Sequence, residues 1–465
     1  MKNIALILLF YFAIIACSPQ KSENSNGDEV DETEEEIGDI EGYYIVLLDE
    51  KKYPSVLDQF GLSSEKDDPK LIDEKDQYRS SLQDTIKSFL PKGFIGEEPI
   101  LFTDFAVGFY AKLDSSQKDS LIKDKENIEA VFEDFWVQAS GRPIQQGRPI
   151  QQGRPIQQGR PIQQGDPELA EWNYNPQTKT SCAINQVGGP KTANLPLRRV
   201  WMLDSGVDGN HVDLVESIDN INGKSFIDLA SAYQDSTGHG THLSGIIAGK
   251  ESQSSNILGV NGITQNAKVV PVKVIDSLGY SNFGTIVVAL NYIAKNRNLK
   301  EKDVVLMSFG TITRAVRCDL IQQGIVRRIR KLAQRGVYIV MSAGNCTLYD
   351  EDCQTNRDAS KNFPGCISGD NIYTIAALDF DCDTSESEFS MADYSAFGQP
   401  PVDFVLPGSN ILSTYPNNSY ARFSGTSMAA ALFAGMLCTV DSVESDMDFI
   451  SITYNGLSYR MPKLR

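Results

Sequence analysis

The stretch Val200-Trp201-Met202-Leu203-Asp204-Ser205-Gly206 decides the fold. Four apolar residues with no polar alternation read as a strand buried on both faces, and the acid and glycine that follow end it abruptly. Similar runs recur at Lys268 to Val274, Val304 to Ser308, Val337 to Ser342 and Ile372 to Ala377. Helical spacing separates them at His239 to Gly249, Phe283 to Asn296 and Leu320 to Gln334. The second of these helices puts Phe283, Ile286, Val287, Leu290 and Ile293 on one face. Strands alternating with helices predict an α/β fold, a mainly parallel sheet with helices on both faces. Such sheets bind ligands at the carboxyl ends of their strands, and Asp204 stands at one.

Two further residues belong with that acid. His239, in Gly238-His239-Gly240-Thr241-His242, opens a predicted helix, and the chain has only two other histidines, His211 and His242. Ser427 lies in Phe423-Ser-Gly-Thr-Ser-Met-Ala-Ala-Ala-Leu-Phe-Ala-Gly435, where a polar turn runs into small and apolar residues of high helix propensity. At a helix N-terminus the unpaired N–H groups and the dipole favour negative charge. A serine placed there is either a helix cap or a nucleophile whose oxyanion its own backbone stabilises. A nucleophilic serine needs a base to take its proton, and the base needs a carboxylate to fix its tautomer. Ser427, His239 and Asp204 supply all three at element ends facing one edge of the sheet.

Asp204-Ser205-Gly206, His239-Gly240-Thr241-His242 and Gly425-Thr426-Ser427-Met428-Ala429, in this order, resemble the three signature motifs of the subtilisin-like serine proteases, the subtilases. The resemblance covers about residues 195 to 440. It implies that Ser427 is the nucleophile, His239 the base and Asp204 the orienting acid. Asn345, in Ser342-Ala343-Gly344-Asn345, would donate to the oxyanion beside the N–H of Ser427. Ser308-Phe309-Gly310 would pair with substrate backbone and, with Ser342, Ala343 and Gly344, wall the primary specificity pocket; no acid lies there, which points to apolar side chains. His242 is then a buried structural histidine and His211 a loop residue. No cofactor is required for the chemistry. Asp213 matches a position that binds calcium in some members, and Asp219-Asn220-Ile221-Asn222-Gly223 is an oxygen-rich turn; structural calcium and a solvated loop both stay open. Where the family usually has Pro-His after its Ser-Met-Ala-Ala run, this chain has Ala431-Leu432. That departure motivates the alternative, a catalytically retired subtilase serving as a surface binding lipoprotein.

At 465 residues the chain should hold two or three units, and its 41% apolar content suffices for packed cores. Half of the net charge of -18 comes from nine acids between Asp28 and Glu41, and such a chain is not a nucleic-acid binder. Residues 1–16 carry one Lys2 and a 12-residue apolar run, Ile4 to Ile15. That is too short for the roughly 20 residues of a membrane span and reads as a signal peptide. Ile14-Ile15-Ala16-Cys17 resembles the bacterial lipobox, in which Cys17 is acylated. The expectation is a lipid-anchored protein of the bacterial cell envelope, facing the periplasm or the cell surface, with the membrane as a partner.

Residues 17–41 read as an acidic disordered tether. Residues 42–140 read as a small α/β unit with strands at Tyr43 to Leu48, Phe102 to Leu113 and Ala130 to Val137, and helices at Gln77 to Leu90 and Ser116 to Asp124. Tyr43-Tyr44-Ile45-Val46-Leu47, Gly108 to Leu113 and Ile128 to Asp134 resemble the inhibitory propeptide of subtilases. The resemblance implies a precursor that cuts itself between Trp136 and Asn185, with protein or peptide substrates and its own propeptide as partners.

Residues 141–165 hold four copies of Gly-Arg-Pro-Ile-Gln-Gln and a closing glycine. Six-residue units can build β-helices, but four are too few to stack and a proline in every unit removes a ladder donor, so this reads as a linker, spanning about 75 Å if wholly polyproline II. The catalytic domain takes residues 166–465. Asn455-Gly456, within Phe449 to Met461, signals a hairpin. Seven cysteines follow Cys17, an odd number, so at least one is unpaired, and Cys438 is the candidate buried thiol.

Overall fold

In the computed structural model, residues 42–62, 67–92, 98–139, 173–192, 194–227, 229–252, 259–311, 322–346 and 357–465 are described. The signal segment, Cys17, the acidic tether and the six-residue repeats lie outside them. No described helix is long and apolar enough to cross a membrane.

The first unit is a four-stranded antiparallel sheet. β1 (Tyr43–Leu48) lies between β3 (Gly108–Lys112) and β4 (Ile128–Glu133), with β2 (Ile100–Phe102) outside β3. Period-2 alternation gives β1 two apolar faces. Val46 and Leu48 pack under Leu82 and Ile86 of helix α1 (Pro69–Phe89), while Ile45 and Leu47 face the second unit. The helix starts earlier than its apolar spacing suggested, because Asp68 caps it and Pro69 occupies its first turn.

Two runs that read as single strands are broken. Phe102 to Leu113 is interrupted where the N–H groups of Thr103, Asp104 and Phe105 all turn to the side-chain oxygen of Asn291, at 3.1, 2.7 and 3.1 Å. Ala130 to Val137 is interrupted at Asp134, and the chain beyond forms β5 (Trp136–Ala139) in a different sheet.

The apolar runs of the second unit form a ten-stranded sheet. Its central strands are β6 (Arg198–Asp204), β7 (Ala267–Lys273), β9 (Val304–Met307), β11 (Tyr338–Ser342), β12 (Ile372–Asp379) and β13 (Val402–Pro407), paired parallel in the order β13-β12-β11-β9-β6-β7. Alternate residues feed opposite cores: Val200 and Met202 join one, Trp201 and Leu203 the other. The first core holds helices α2 (His239–Ala248) and α5 (Thr426–Leu437). The second holds α3 (Phe283–Lys295) and α4 (Arg327–Gln334), which follows a π-helical turn at Gln322–Val326. The fold class is therefore as the alternation predicts, α/β with helices on both faces. Each fully buried Val, Leu or Phe contributes about 1.5–3 kcal/mol, so a charge at Trp201 or Met202 would cost one whole face.

The hairpin of β14 (Met447–Tyr454) and β15 (Leu457–Leu464) adds to this sheet beside β13. Asn455 and Gly456 both take positive φ, 50° and 76°, as its two-residue turn requires.

Candidate active site

Asp204 ends β6 and His239 opens α2, and the two meet at the carboxyl edge of the sheet. Nδ1 of His239 lies 2.8 and 2.9 Å from the two oxygens of Asp204. The close approach depends on glycine: a Cβ at Gly240 would stand 2.1 Å from the carbonyl of Gly206 and 3.1 Å from Asp204 Oδ1. Both partners are buried. Burial pulls the pKa of His239 down, but the charge and hydrogen bond of Asp204, with Asp235 behind it, raise it above the ordinary value.

A supporting network escaped the sequence reading. α2 begins after Gly238, which offers no side-chain cap. Asp235 supplies one instead, accepting the N–H groups of Thr237, Gly238 and Thr241 at 3.1, 2.9 and 2.8 Å and the Thr241 hydroxyl at 2.7 Å. The hydroxyl of Ser205 lies between the two carboxylates, 3.1 Å from Asp204 and 2.9 Å from Asp235. Lys273, opposite Asp204 in the parallel register, donates to the carbonyls of Ser205 and Gln234. Burial lowers the pKa of this lysine, and Asp235, Asp204 and Asp276 oppose the shift. The signal available in the sequence was only that Asp235 precedes His239 by one helical turn.

Ser427 is the second residue of α5, fully buried. The residue before the helix is Gly425 and no side chain caps it, so the cap reading of Ser427 falls away. Its Oγ donates to the carbonyl of Ser308 at 3.3 Å. His239 Nε2, the atom that would take the serine proton, is buried without a hydrogen-bond partner. The helix runs unbroken through Ala431 and Leu432, both fully buried.

Asn345 stands beside this serine. Its side-chain oxygen accepts the N–H and the hydroxyl of Thr426, both at 2.9 Å. Those bonds fix the amide, so what Asn345 offers elsewhere is its N–H donor end. Thr426 Oγ1 also takes the N–H of Gly344 at 3.3 Å, tying Asn345 to the segment that follows β11. Ser308, Phe309 and Gly310 run from the end of β9 into β10 (Phe309–Thr311); Ser342, Ala343 and Gly344 leave the end of β11. Asn362 joins the two segments: its Nδ2 donates to Ala343 at 3.0 Å, and a Cβ at Gly310 or Gly344 would collide with its amide. The hydroxyls of Ser308 and Ser342 are buried without partners.

One strand of the first unit is inserted here. β5 lies between β8 (Tyr280–Asn282) and β10, antiparallel to both, with Ala139 opposite Phe309 and Gln138 opposite Gly310. Val137 is fully buried in the core that also holds Phe283 and Phe309.

The remaining candidates are used for structure. Asp213 does not fit a calcium ligand: one oxygen accepts the N–H of Ser252 at 2.7 Å, the other the N–H of Val260 at 2.8 Å and the hydroxyl of Tyr420 at 2.7 Å. Donors stand where a cation would, and among the described residues no group of three His, Cys, Asp or Glu side chains comes together as a metal site. Asp219 is held by Asn222 and by Arg199 at 3.0 Å. His242 is buried, with Nε2 2.9 Å from the carbonyl of Ile411, and burial pushes its pKa down to about 3. His211, read as a loop residue, is fully buried with Nε2 3.0 Å from the carbonyl of Ser419. Cys182 and Cys382 form a disulfide, Cys346 and Cys366 each take part in one, and Cys438 is free and buried, its thiol pushed up to about 12 by burial.

Comparison with known proteins gives a consistent result. Residues 199–449 match the Subtilase family. The chain is 30% identical over 246 residues to an intracellular serine protease of Paenibacillus polymyxa, covering 52% of this chain and 66% of that protein. It is 30% identical over 268 residues to subtilisin-like protease 2 of Plasmodium falciparum (isolate 3D7), covering 54% of this chain and 18% of that one. With the major intracellular serine protease of Bacillus subtilis (strain 168) it shares 31% identity over 253 residues, 53% of this chain and 69% of that protein.

Proposed function

The chain belongs to the subtilase family of serine proteases, and on that premise we propose that it is a serine endopeptidase acting through Asp204, His239 and Ser427, made as a self-processing precursor. The single observation that carries the reading is the two-oxygen contact between Asp204 and His239 Nδ1, at 2.8 and 2.9 Å. It leaves Nε2, buried and unpartnered, as the basic atom.

In the proposed cycle Ser427 Oγ exchanges the Ser308 carbonyl for His239 Nε2 by side-chain rotation, gives up its proton there and attacks a peptide carbonyl. The developing oxyanion is held by the N–H of Ser427 at the start of α5 and by the Asn345 amide. His239 then passes the proton to the leaving amine, and water resolves the acyl-enzyme. Protein and peptide substrates would enter as an extended strand between β8 and β10, the slot that β5 fills.

Residues 42–140 are read as the inhibitory propeptide. Their contacts with the second unit are polar clamps around an apolar centre. Glu129 grips Arg328 at 3.3 and 2.9 Å; Lys331 meets Glu50 at 2.9 Å and Asp58 at 3.1 Å; Asp134 accepts the N–H of Gly284 at 2.9 Å. The expression of Ser427→Ala tests self-processing directly. The variant is expected to stay full length while the wild type is cut, and equal cleavage of both would refute the reading. Attachment to a bacterial envelope through an acylated Cys17 is proposed on the lipobox resemblance, and radiolabelled palmitate incorporation that disappears in Cys17→Ala would support it.

A further inference from the structure

We infer that Lys273 is a positioning residue for the proposed triad. Its buried ammonium ties the segment that carries Asp204 to the segment that carries Asp235, and its charge lets both carboxylates stay ionised beside a neutral His239. The inference rests on the proposed role of His239 as base and adds a residue that takes no part in the proton transfer itself.

Lys273 is the last residue of β7 and stands level with Asp204 in the parallel register. Along that strand Val269 feeds the core that holds α2, while Val270 and Val272 feed the opposite one. Period-two alternation therefore sends Lys273 to the α2 side, into a buried place where it is only 3% exposed. There its Nζ donates to the carbonyl of Ser205 and, at 3.2 Å, to that of Gln234. Ser205 follows Asp204 and Gln234 precedes Asp235, so the ammonium holds the chain next to each acid. The two segments are pressed together at this point: a Cβ at Gly206 would stand 2.4 Å from the carbonyl oxygen of Gln234. The N–H of Val207 donates to the Ala232 carbonyl at 3.0 Å.

The charges call for the same residue. The Ser205 hydroxyl reaches both carboxylates, 3.1 Å from Asp204 and 2.9 Å from Asp235, but its one proton serves only one of them. Two carboxylates this close raise each other's proton affinity, and a buried charge without a counter-charge is costly. Around them stand His239, His242, Tyr415, Asp276 and Lys273. Burial pushes the pKa of His242 down to about 3 and that of the Tyr415 phenol up, so both are neutral, and Asp276 is a further acid. While His239 is neutral, as a base must be, Lys273 is the positive charge among these groups. Burial lowers the pKa of the lysine itself, and Asp235, Asp204 and Asp276 act against that shift.

The test makes Lys273→Met, Lys273→Gln and Lys273→Arg in the full chain and follows the pH dependence of kcat/KM on a peptide substrate, with circular dichroism as the check of fold. Without the ammonium the cluster gains proton affinity, and the imidazole, the most basic group left, takes the proton. Lys273→Met should therefore lose about tenfold to a hundredfold in kcat and move the acid limb up by about one pH unit. Lys273→Gln keeps a donor for the carbonyls without the charge, so its limb should move as far even where its kcat falls less. It carries the test if Lys273→Met does not fold. Lys273→Arg keeps the charge and should leave the limb where the wild type has it. An unmoved limb in a folded Lys273→Met or Lys273→Gln, or a limb that Lys273→Arg moves as far, overturns the inference. Wild-type turnover that survives in Ser427→Ala would instead overturn the triad itself, and that control tells the two failures apart.

Discussion

The two halves of the candidate active site are held to different degrees. Asp204 and His239 are locked by two short contacts, backed by Ser205, Asp235 and Lys273, and enclosed at the ends of β6 and α2. Ser427, on α5, is bonded to Ser308, and His239 Nε2 waits without a partner. The difference teaches where the protein invests its rigidity. The Asp204–His239 pair is preorganised by the fold, whereas Ser427 Oγ is held by the carbonyl of Ser308 beside the slot that β5 occupies.

Asp204→Asn attacks the more firmly held half and should give the largest effect. The imidazole loses its orienting charge, and turnover on a peptide substrate should fall about 10,000-fold, the loss known for this change in a convergent triad. A loss near tenfold would mean that the buried contact is not what activates His239. Asn345→Ala attacks the other half, and turnover should fall about 100- to 1000-fold with little change in KM, a magnitude measured on subtilisin itself. If KM rises instead, Asn345 binds substrate rather than the oxyanion.

Asp235→Asn tests whether the support behind His239 acts on the chemistry. Misplacing the ring should cost about tenfold to a hundredfold in kcat. The pH profile separates this from simple damage. Only neutral imidazole can accept the serine proton, and Asp204 and Asp235 raise the pKa of His239. In the wild type, kcat/KM should therefore fall with acidification below a pKa higher than the usual 6.5. Removing the Asp235 charge lowers that pKa and moves the acid limb to lower pH. Lys273, His242 and Tyr415 are the other ionisable groups around these residues, and none replaces the lost charge. An unmoved limb in a folded variant would make Asp235 purely structural.

The smallest effect is expected away from both halves. Tyr420→Phe removes one of the three donors on Asp213 and should cost about 1–3 kcal/mol in thermal unfolding. A chelator should leave the wild-type Tm unchanged, and a chelator-induced drop would restore calcium to this position.

How far these features were legible follows from what encodes them. The sheet could be read because strands buried on both faces must be continuously apolar, as Val200 to Leu203 are. The placing of Asp204, His239 and Ser427 at element ends, and the pairing of the first two, could be read because those residue types follow or open recognisable elements. Asp235, Thr426 and Asn362 could not, because each acts by bonding backbone or amide groups that only the folded chain brings near. The segment Ala130 to Val137 shows the same limit: its alternation said strand, but a period of two does not say which sheet. Asp134, bonded to Gly284 across the unit boundary, makes the strand change sheets. His211 reads as a loop residue and Asp213 as a calcium candidate or part of a solvated loop, because burial of a loop by Tyr420 and Ser419 leaves no periodic trace.

Labelling with a fluorophosphonate probe tests the central claim most directly, applied to processed protein separated from its amino-terminal unit, so that β5 no longer fills the slot. The account predicts one adduct, on Ser427, that disappears in Ser427→Ala and is strongly reduced in His239→Ala. Folded, processed wild type that takes up no probe, or an adduct that persists in Ser427→Ala, would contradict it.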